Sequence, residues 1–430
     1  MPYIKIQPEK PKVIKKYVDT LNPKSIQKPT RVYFPEVLRQ NIRLIEDLPV
    51  TTYLAHKATK TKEFLDIAKE ERIGIDVASI QELQNALDTG INTEKIEATG
   101  PKNKEFLEKC VENNVLISID SIHELKEIKN TGKPANILIR VANPAEEGVI
   151  FSKTKFGILK KELPKAKQIL ENTDITMRGF HFHGDGMSVS MKGKIISYFL
   201  KQIEKHFPKA TKINIGGTFT EKLFKKNLSW SKLIQNITKD IKNQEVQTWG
   251  QAPYGIKKGS KNEVVGGDQA LLPGKDKTLR EQIQDLLLAE TVPNTTVTEI
   301  LEDTDIELLV EPGHALLYNT GIAIFPVEYT KNIIGGNLTV LNGNTFMVSK
   351  NMREPYADPT LISKSTLNKE YHTFLGGLLC RDDDVFMTRK VKFKKNPCPG
   401  DLIVFYNKGS YEAYEEGTPQ SQPTADRITA

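Results

Sequence analysis

The chain has 430 residues, of which 38% are hydrophobic and 27% charged, with a net charge of +7. That length argues for two domains, and the composition excludes wholesale disorder. No apolar run approaches the roughly 18 residues that span a bilayer, and three scattered cysteines (Cys110, Cys380, Cys398) make neither a disulfide framework nor a zinc site.

The opening residues, MPYIKIQPEK, lack the apolar core of a secretory signal. A cytoplasmic setting with no membrane partner is therefore expected. Residues 1–30 hold seven lysines against two acids, which reads as a solvated basic arm. The two aromatic residues there, Tyr3 and Tyr17, are too few for the aromatic interleaving of a nucleic-acid groove, so no nucleic-acid partner is expected. Residues 31–45 then supply a strand, RVYFP, and a helical connection.

From about residue 50 to 311, short β-rich runs alternate with stretches of helical apolar spacing such as EFLDIAKE. Strands are expected at 50–55, 73–77, 96–99, 115–119, 136–142, 177–183, 212–216 and 306–311. Eight strands with helices between them over about 260 residues make the (β/α)8 barrel pattern, an α/β fold. A doubly wound open sheet is the structural alternative. The barrel is assigned to 46–320, with an irregular insertion near 245–275 that should project from the C-terminal face. After residue 320 the runs IAIFPVEYT, LTVLNG, VFMTRKVKF and DLIVFYN read as a β-domain over 321–416. Residues 417–430 read as a flexible tail.

Polar residues at the C-terminal ends of barrel strands are where chemistry is expected. Lys57 follows the first strand, Asp76 lies in the second, Arg140 in the fifth, and His183 ends the sixth. Gly216 and Gly217 end the seventh, and Glu311 with Gly313 ends the eighth. Glycine turns after strands seven and eight expose backbone N–H groups that can cradle a phosphate. A lysine can bond to an aldehyde, and a carboxylate can keep a pyridine nitrogen protonated. His183 can stack on a ring face. Phosphate, aldehyde and pyridine together describe pyridoxal 5'-phosphate (PLP). The pair in HFH shares one strand face, but no third metal ligand is evident, and no metal is expected.

The ordered set TYLAHKATK, GIDVASIQELQNAL, IEATGPKN, LIRVANP, KFGI, GFHFHG, INIGGTF, VEPG, LLCRDDDVF and GDLIVFYNKGSY resembles the ornithine and diaminopimelate decarboxylase group. These are PLP enzymes with an alanine-racemase-like barrel and a C-terminal β-barrel or β-sandwich domain. The resemblance implies that Lys57 carries the cofactor as a Schiff base, His183 stacks on it and Glu311 meets its ring nitrogen. Gly216, Gly217 and Gly313 would hold its phosphate, with Tyr411 nearby. Cys380 would donate a proton from the neighbouring subunit of a head-to-tail homodimer.

Three departures bear on phosphate and substrate. His314 stands where the family has Arg, and GDG replaces a Gly-Ser pattern after His183. Both imply a rearranged phosphate contact. Arg381 follows Cys380 directly, where relatives acting on diamino acids carry an acid. A guanidinium suits an anionic distal group, whereas Asp382, Asp383 or Asp384 could restore an acid after a small register shift. The insertion suggests a specialised role, as in natural-product or siderophore biosynthesis. The alternatives are a racemase of the same fold, which Glu311 argues against, and a non-catalytic PLP-binding protein, which the β-domain argues against.

Overall fold

The computed structural model describes residues 10–144, 154–184, 187–217, 219–220, 249, 256–258, 264–266, 277–292, 294–348, 357–364, 369–411 and 424–430. The chain divides into two compact units. One comprises Arg39–Thr220 and Lys277–Leu316; the other comprises Met1–Leu38, Glu221–Asp276 and Leu317–Ala430.

The first unit is a closed barrel of eight parallel strands. In chain order these are Thr51–Ala55, Gly74–Val77, Ile96–Ala98, Leu116–Ile119, Ala135–Ala142, Ile175–His181, Lys212–Asn214 and Glu307–Val310. Each pairs with its successor, and the eighth pairs with the first through Val310 and Thr52. Closure rules out the open doubly wound sheet. The strands read as near-continuous Ile, Leu and Val because helices cover the sheet outside and side chains fill it inside. Tyr53, Leu116, Leu138 and Leu309 form one such interior cluster. The covering helices start on capping residues: Ser79, Asn103, Ser121 and Ser188 each accept a backbone N–H through the side chain.

The second unit is a curled sheet. Its strands run in the order Thr360–Ile362, Leu402–Tyr406, Gly321–Ile333, Gly336–Leu341, Tyr371–Gly376, Val385–Phe393. Thr30–Tyr33 also joins Gly321–Ile333, as the RVYFP run predicts. Alternation along Gly321–Ile333 serves two cores. Ala323 and Phe325 face a cluster with Phe386 and Phe405, while Ile322 and Ile324 face one with Val32, Phe34 and Val404.

Three expectations need revision. The basic arm is not wholly solvated: Lys12–Thr20 is a helix whose Ile14 and Val18 are buried in the second of these cores. Apolar residues four apart face one side, and the lysines at 12, 15 and 16 stay in water. The tail is not wholly flexible: Asp426–Thr429 forms a strand parallel to Thr30–Tyr33. Its backbone pairs along Thr30–Tyr33, and all four of its residues are exposed. The segment read as a barrel insertion groups with the sheet unit. Much of it lies outside the described residues. Among those described, Trp249 packs edge-on against Phe374 at 5.4 Å, and Ile256–Lys258 pairs with Val264–Gly266.

Candidate active site

Lys57 sits in a single 3-10 turn, His56–Ala58, directly after the first strand. Its Nζ is 3.4 Å from Oδ2 of Asp76, which is fully buried on the second strand. The Thr99 hydroxyl donates to the other Asp76 oxygen. Burial, reinforced by the nearby Glu311 charge and opposed by Lys57, pushes Asp76 up to about 6.

Glu311 follows the eighth strand and is 2% exposed. Asn214, at the end of the seventh strand, donates from Nδ2 to Glu311 Oε1 and to Glu97 Oε2, each at 2.7 Å. His181 Nε2 lies 3.4 Å from Glu311 Oε1, and His183 Nδ1 lies 3.6 Å from Oε2. Burial works to raise Glu311, but the His181 and His183 imidazoles and the Lys57 amine outweigh it and hold the carboxyl below its usual range. Burial pushes Glu97 well up, and the charges of Glu311 and Asp76 push it further. Like charges so close cannot all ionise. Glu311 therefore carries the charge and Glu97 stays neutral. Burial also holds His181 well below its usual range. Ser118 Oγ is 2.5 Å from His181 Nδ1.

The two glycines after the seventh strand are steric requirements. A Cβ on Gly216, where φ is +67°, would come within 2.6 Å of His183 Nδ1. On Gly217 it would meet the Glu311 carbonyl oxygen at 2.7 Å. Only a bare backbone lets the imidazole, the turn and the eighth strand converge here. The Gly217 N–H donates to His183 Nδ1 at 3.1 Å. Gly313 and His314 continue the turn after Glu311 and are half-buried.

Arg140 is buried on the fifth strand, paired in register with His181. Its guanidinium lies over Phe156 at 4.3 Å and 3.5 Å from Asp120 Oδ1. The barrel unit thus brings Lys57, Asp76, Arg140, His183, Gly216, Gly217 and Glu311 to the strand ends. Cys380, Arg381, Asp382 and Tyr411 belong to the sheet unit. There Cys380 is exposed, and Arg381 binds Asp383 through two nitrogens. Asp384, adjacent to Asp383, is buried and accepts from the backbone N–H groups of Thr345 and Leu379. It therefore pins the turn rather than facing a ligand.

The sequence reading missed Glu97, Ser118, Asp120, His181 and Asn214 as members of this network. The signal was available for three of them: a polar residue inside a short run buried on both faces, as in IEA, LISI and KIN. It also found no third partner for the histidine pair. In the structure, donor atoms of His181, His183 and Glu311 all lie within 4.8 Å of one another. Two of these residues are held from the neighbouring turn: Asn214 donates to Glu311 and the Gly217 N–H to His183.

The pyridoxal-binding domain model of the pyridoxal-dependent decarboxylases matches residues 35–249, half of the chain. The chain belongs to this family. A diaminopimelate decarboxylase of Buchnera aphidicola is 22% identical over 429 residues, covering 94% of this chain and 89% of its own. An uncharacterized protein of Sinorhizobium fredii, y4yA, is 26% identical over 407 residues, covering 89% and 83%. The crystal structure of the Paramecium bursaria Chlorella virus arginine decarboxylase bound to agmatine superposes with a TM-score of 0.71 at 16% identity. That match covers 97% of this chain and all of the viral one.

As a pyridoxal-dependent decarboxylase the protein is a carboxy-lyase whose cofactor is PLP. The residues present fit that cofactor. A half-exposed amine, an ionised buried carboxylate, and a turn that any Cβ would fill occupy neighbouring strand ends. His181 Nε2 and Glu97 Oε1 are buried beside them without hydrogen-bond partners among the described residues. Among the described residues, no helix of this decarboxylase is long and apolar enough to cross a membrane.

Proposed function

We propose that Lys57, Asp76, His183 and Glu311 are the barrel's working residues in decarboxylation of an amino acid with a charged distal group. The observation that carries this is Glu311, buried after the eighth strand beside His181 and His183, with Lys57 following the adjacent first strand. Bound PLP supplies an electron sink for the pair left behind when CO2 departs. Glu311 holds a proton at the ring nitrogen, which keeps that sink deep. Lys57 must shed a proton to act as a nucleophile. Asp76, 3.4 Å away and pushed up to about 6, is placed to take it. His183 packs the ring face, and the glycine turns receive the phosphate. Cys380 returns a proton to the decarboxylated carbon from a second subunit, in a head-to-tail homodimer.

We assign the distal-group contact to Arg381 and the substrate's distal group to an anion. Arg381 already grips the Asp383 carboxylate with Nε and Nη2, so its fork has the posture that holds a carboxylate. One observation favours the opposite charge: Asp383 neutralises Arg381, while the neighbouring Asp382 exposes its carboxylate and lends only its carbonyl oxygen, to Trp249. The test is CO2 release from a panel of acidic, neutral and basic amino acids. Wild type should favour acidic substrates, and Arg381→Glu should depress those rates at least tenfold more than neutral ones. Efficient turnover of ornithine, lysine or arginine, lost in Asp382→Asn and kept in Arg381→Glu, would transfer the role to Asp382. The insertion that suggested a specialised role lies mostly outside the described residues.

A further inference from the structure

The helix Val189–His206 follows the sixth strand and carries Lys192 in its first turn. It packs closely against the small hairpin of Glu290–Val292 and Thr295–Thr296, since a Cβ on Gly193 would meet the Glu290 carbonyl oxygen at 2.5 Å. Lys192, next to Gly193, is 5% exposed. Its Nζ lies 4.1 Å from the centre of the Phe219 ring and 3.5 Å from the Gly217 carbonyl oxygen. No carboxylate among the described residues pairs with it. A buried ammonium without a counter-ion is costly, and burial alone brings this amine down to about 8.

The amine therefore stands beside the glycine turn with no counter-charge among the described residues. Neither glycine turn brings a permanent cation of its own: residues 215–220 and 311–316 contain no Lys or Arg, and His314 is their one basic side chain. We propose that Lys192 is the cation for the cofactor's phosphate, reaching it from the helix behind the turn at Gly216 and Gly217. A phosphate dianion there would supply the counter-charge that the apoprotein lacks, and an ammonium offers it a compact charge with several donors. Phe219 would shield the pair from water, where screening would weaken it.

The inference rests on reading the glycine turns as the phosphate cradle, and the experiment separates the two. Affinities for PLP and for pyridoxal, which lacks the phosphate, are measured by equilibrium dialysis on the apoprotein. Wild type, Lys192→Met, Lys192→Gln and Lys192→Arg are compared, with thermal melting to check each fold. Wild type should prefer PLP; no preference at all would overturn the cradle itself. Lys192→Met and Lys192→Gln should weaken PLP about tenfold to a hundredfold and leave pyridoxal within about twofold, the loss of one charge-assisted contact. Lys192→Arg should recover most of the difference. A wild-type PLP preference that survives in the folded neutral variants would make Lys192 a packing residue and overturn the proposal. If both neutral variants fail to fold, Lys192→Arg decides: retained preference supports the charge, and loss of it overturns the proposal.

Discussion

The buried acids at the barrel mouth are kept in different protonation states by their neighbours, not by their residue type. Glu311 is ionised and Glu97 is neutral, although both are buried and both accept from Asn214. If Glu311 supports the electron sink through its charge, then Glu311→Gln, which keeps the shape, should lower kcat about a hundredfold or more while PLP remains bound. Steady-state kinetics beside an absorbance spectrum of the reconstituted variant would check this. Unchanged turnover would remove Glu311 from the chemistry. Lys57, His183 and Glu311 were legible in the sequence because each follows a recognisable strand and breaks its apolar run. Glu97 and Asn214 show in the sequence only as polar residues inside apolar runs, because their partners lie across the barrel, and Lys192 reads as one more helix lysine. Glu97 and Asn214 are 117 residues apart in the chain, and no local pattern announces their contact.

At the scale of elements, all eight barrel strands were legible within a few residues. Each is a short apolar run bounded by polar or glycine turns, and both of its faces are covered. The elements that sequence missed are those with weak patterns. Lys12–Thr20 offers two buried positions in a lysine-rich segment, so charge dominated its reading. Its role is nonetheless in the core: Ile14 is fully buried. Ile14→Ala should cost about 2–4 kcal/mol, as for other large-to-small changes at sealed sites. Denaturant titration would measure it; a change under about 0.5 kcal/mol is what a truly solvated arm would give. The Asp426–Thr429 strand has no buried residue at all, so periodicity had nothing to report.

At the scale of the whole molecule, the residues assigned to catalysis come from both units, and family resemblance places Cys380 in a partner's site. Mixed preparations of inactive Lys57→Ala and inactive Cys380→Ala should then regain up to about a quarter of wild-type activity if subunits exchange at random, because a hybrid dimer holds one intact site. Recovery would be followed by CO2 release, with subunit exchange shown separately. Exchange without recovery would place both residues in one chain's own site. The sheet unit also has an unusual history. Thr30–Tyr33 lies between Gly321–Ile333 and Asp426–Thr429, partners encoded nearly 300 and nearly 400 residues later. At ribosomal speeds of about 5–20 residues per second, that strand waits roughly 20–80 s for its last neighbour. The barrel segments between are made during that interval, so the sheet unit is begun first and completed last. Until then its unpaired edge is open to pairing with other chains.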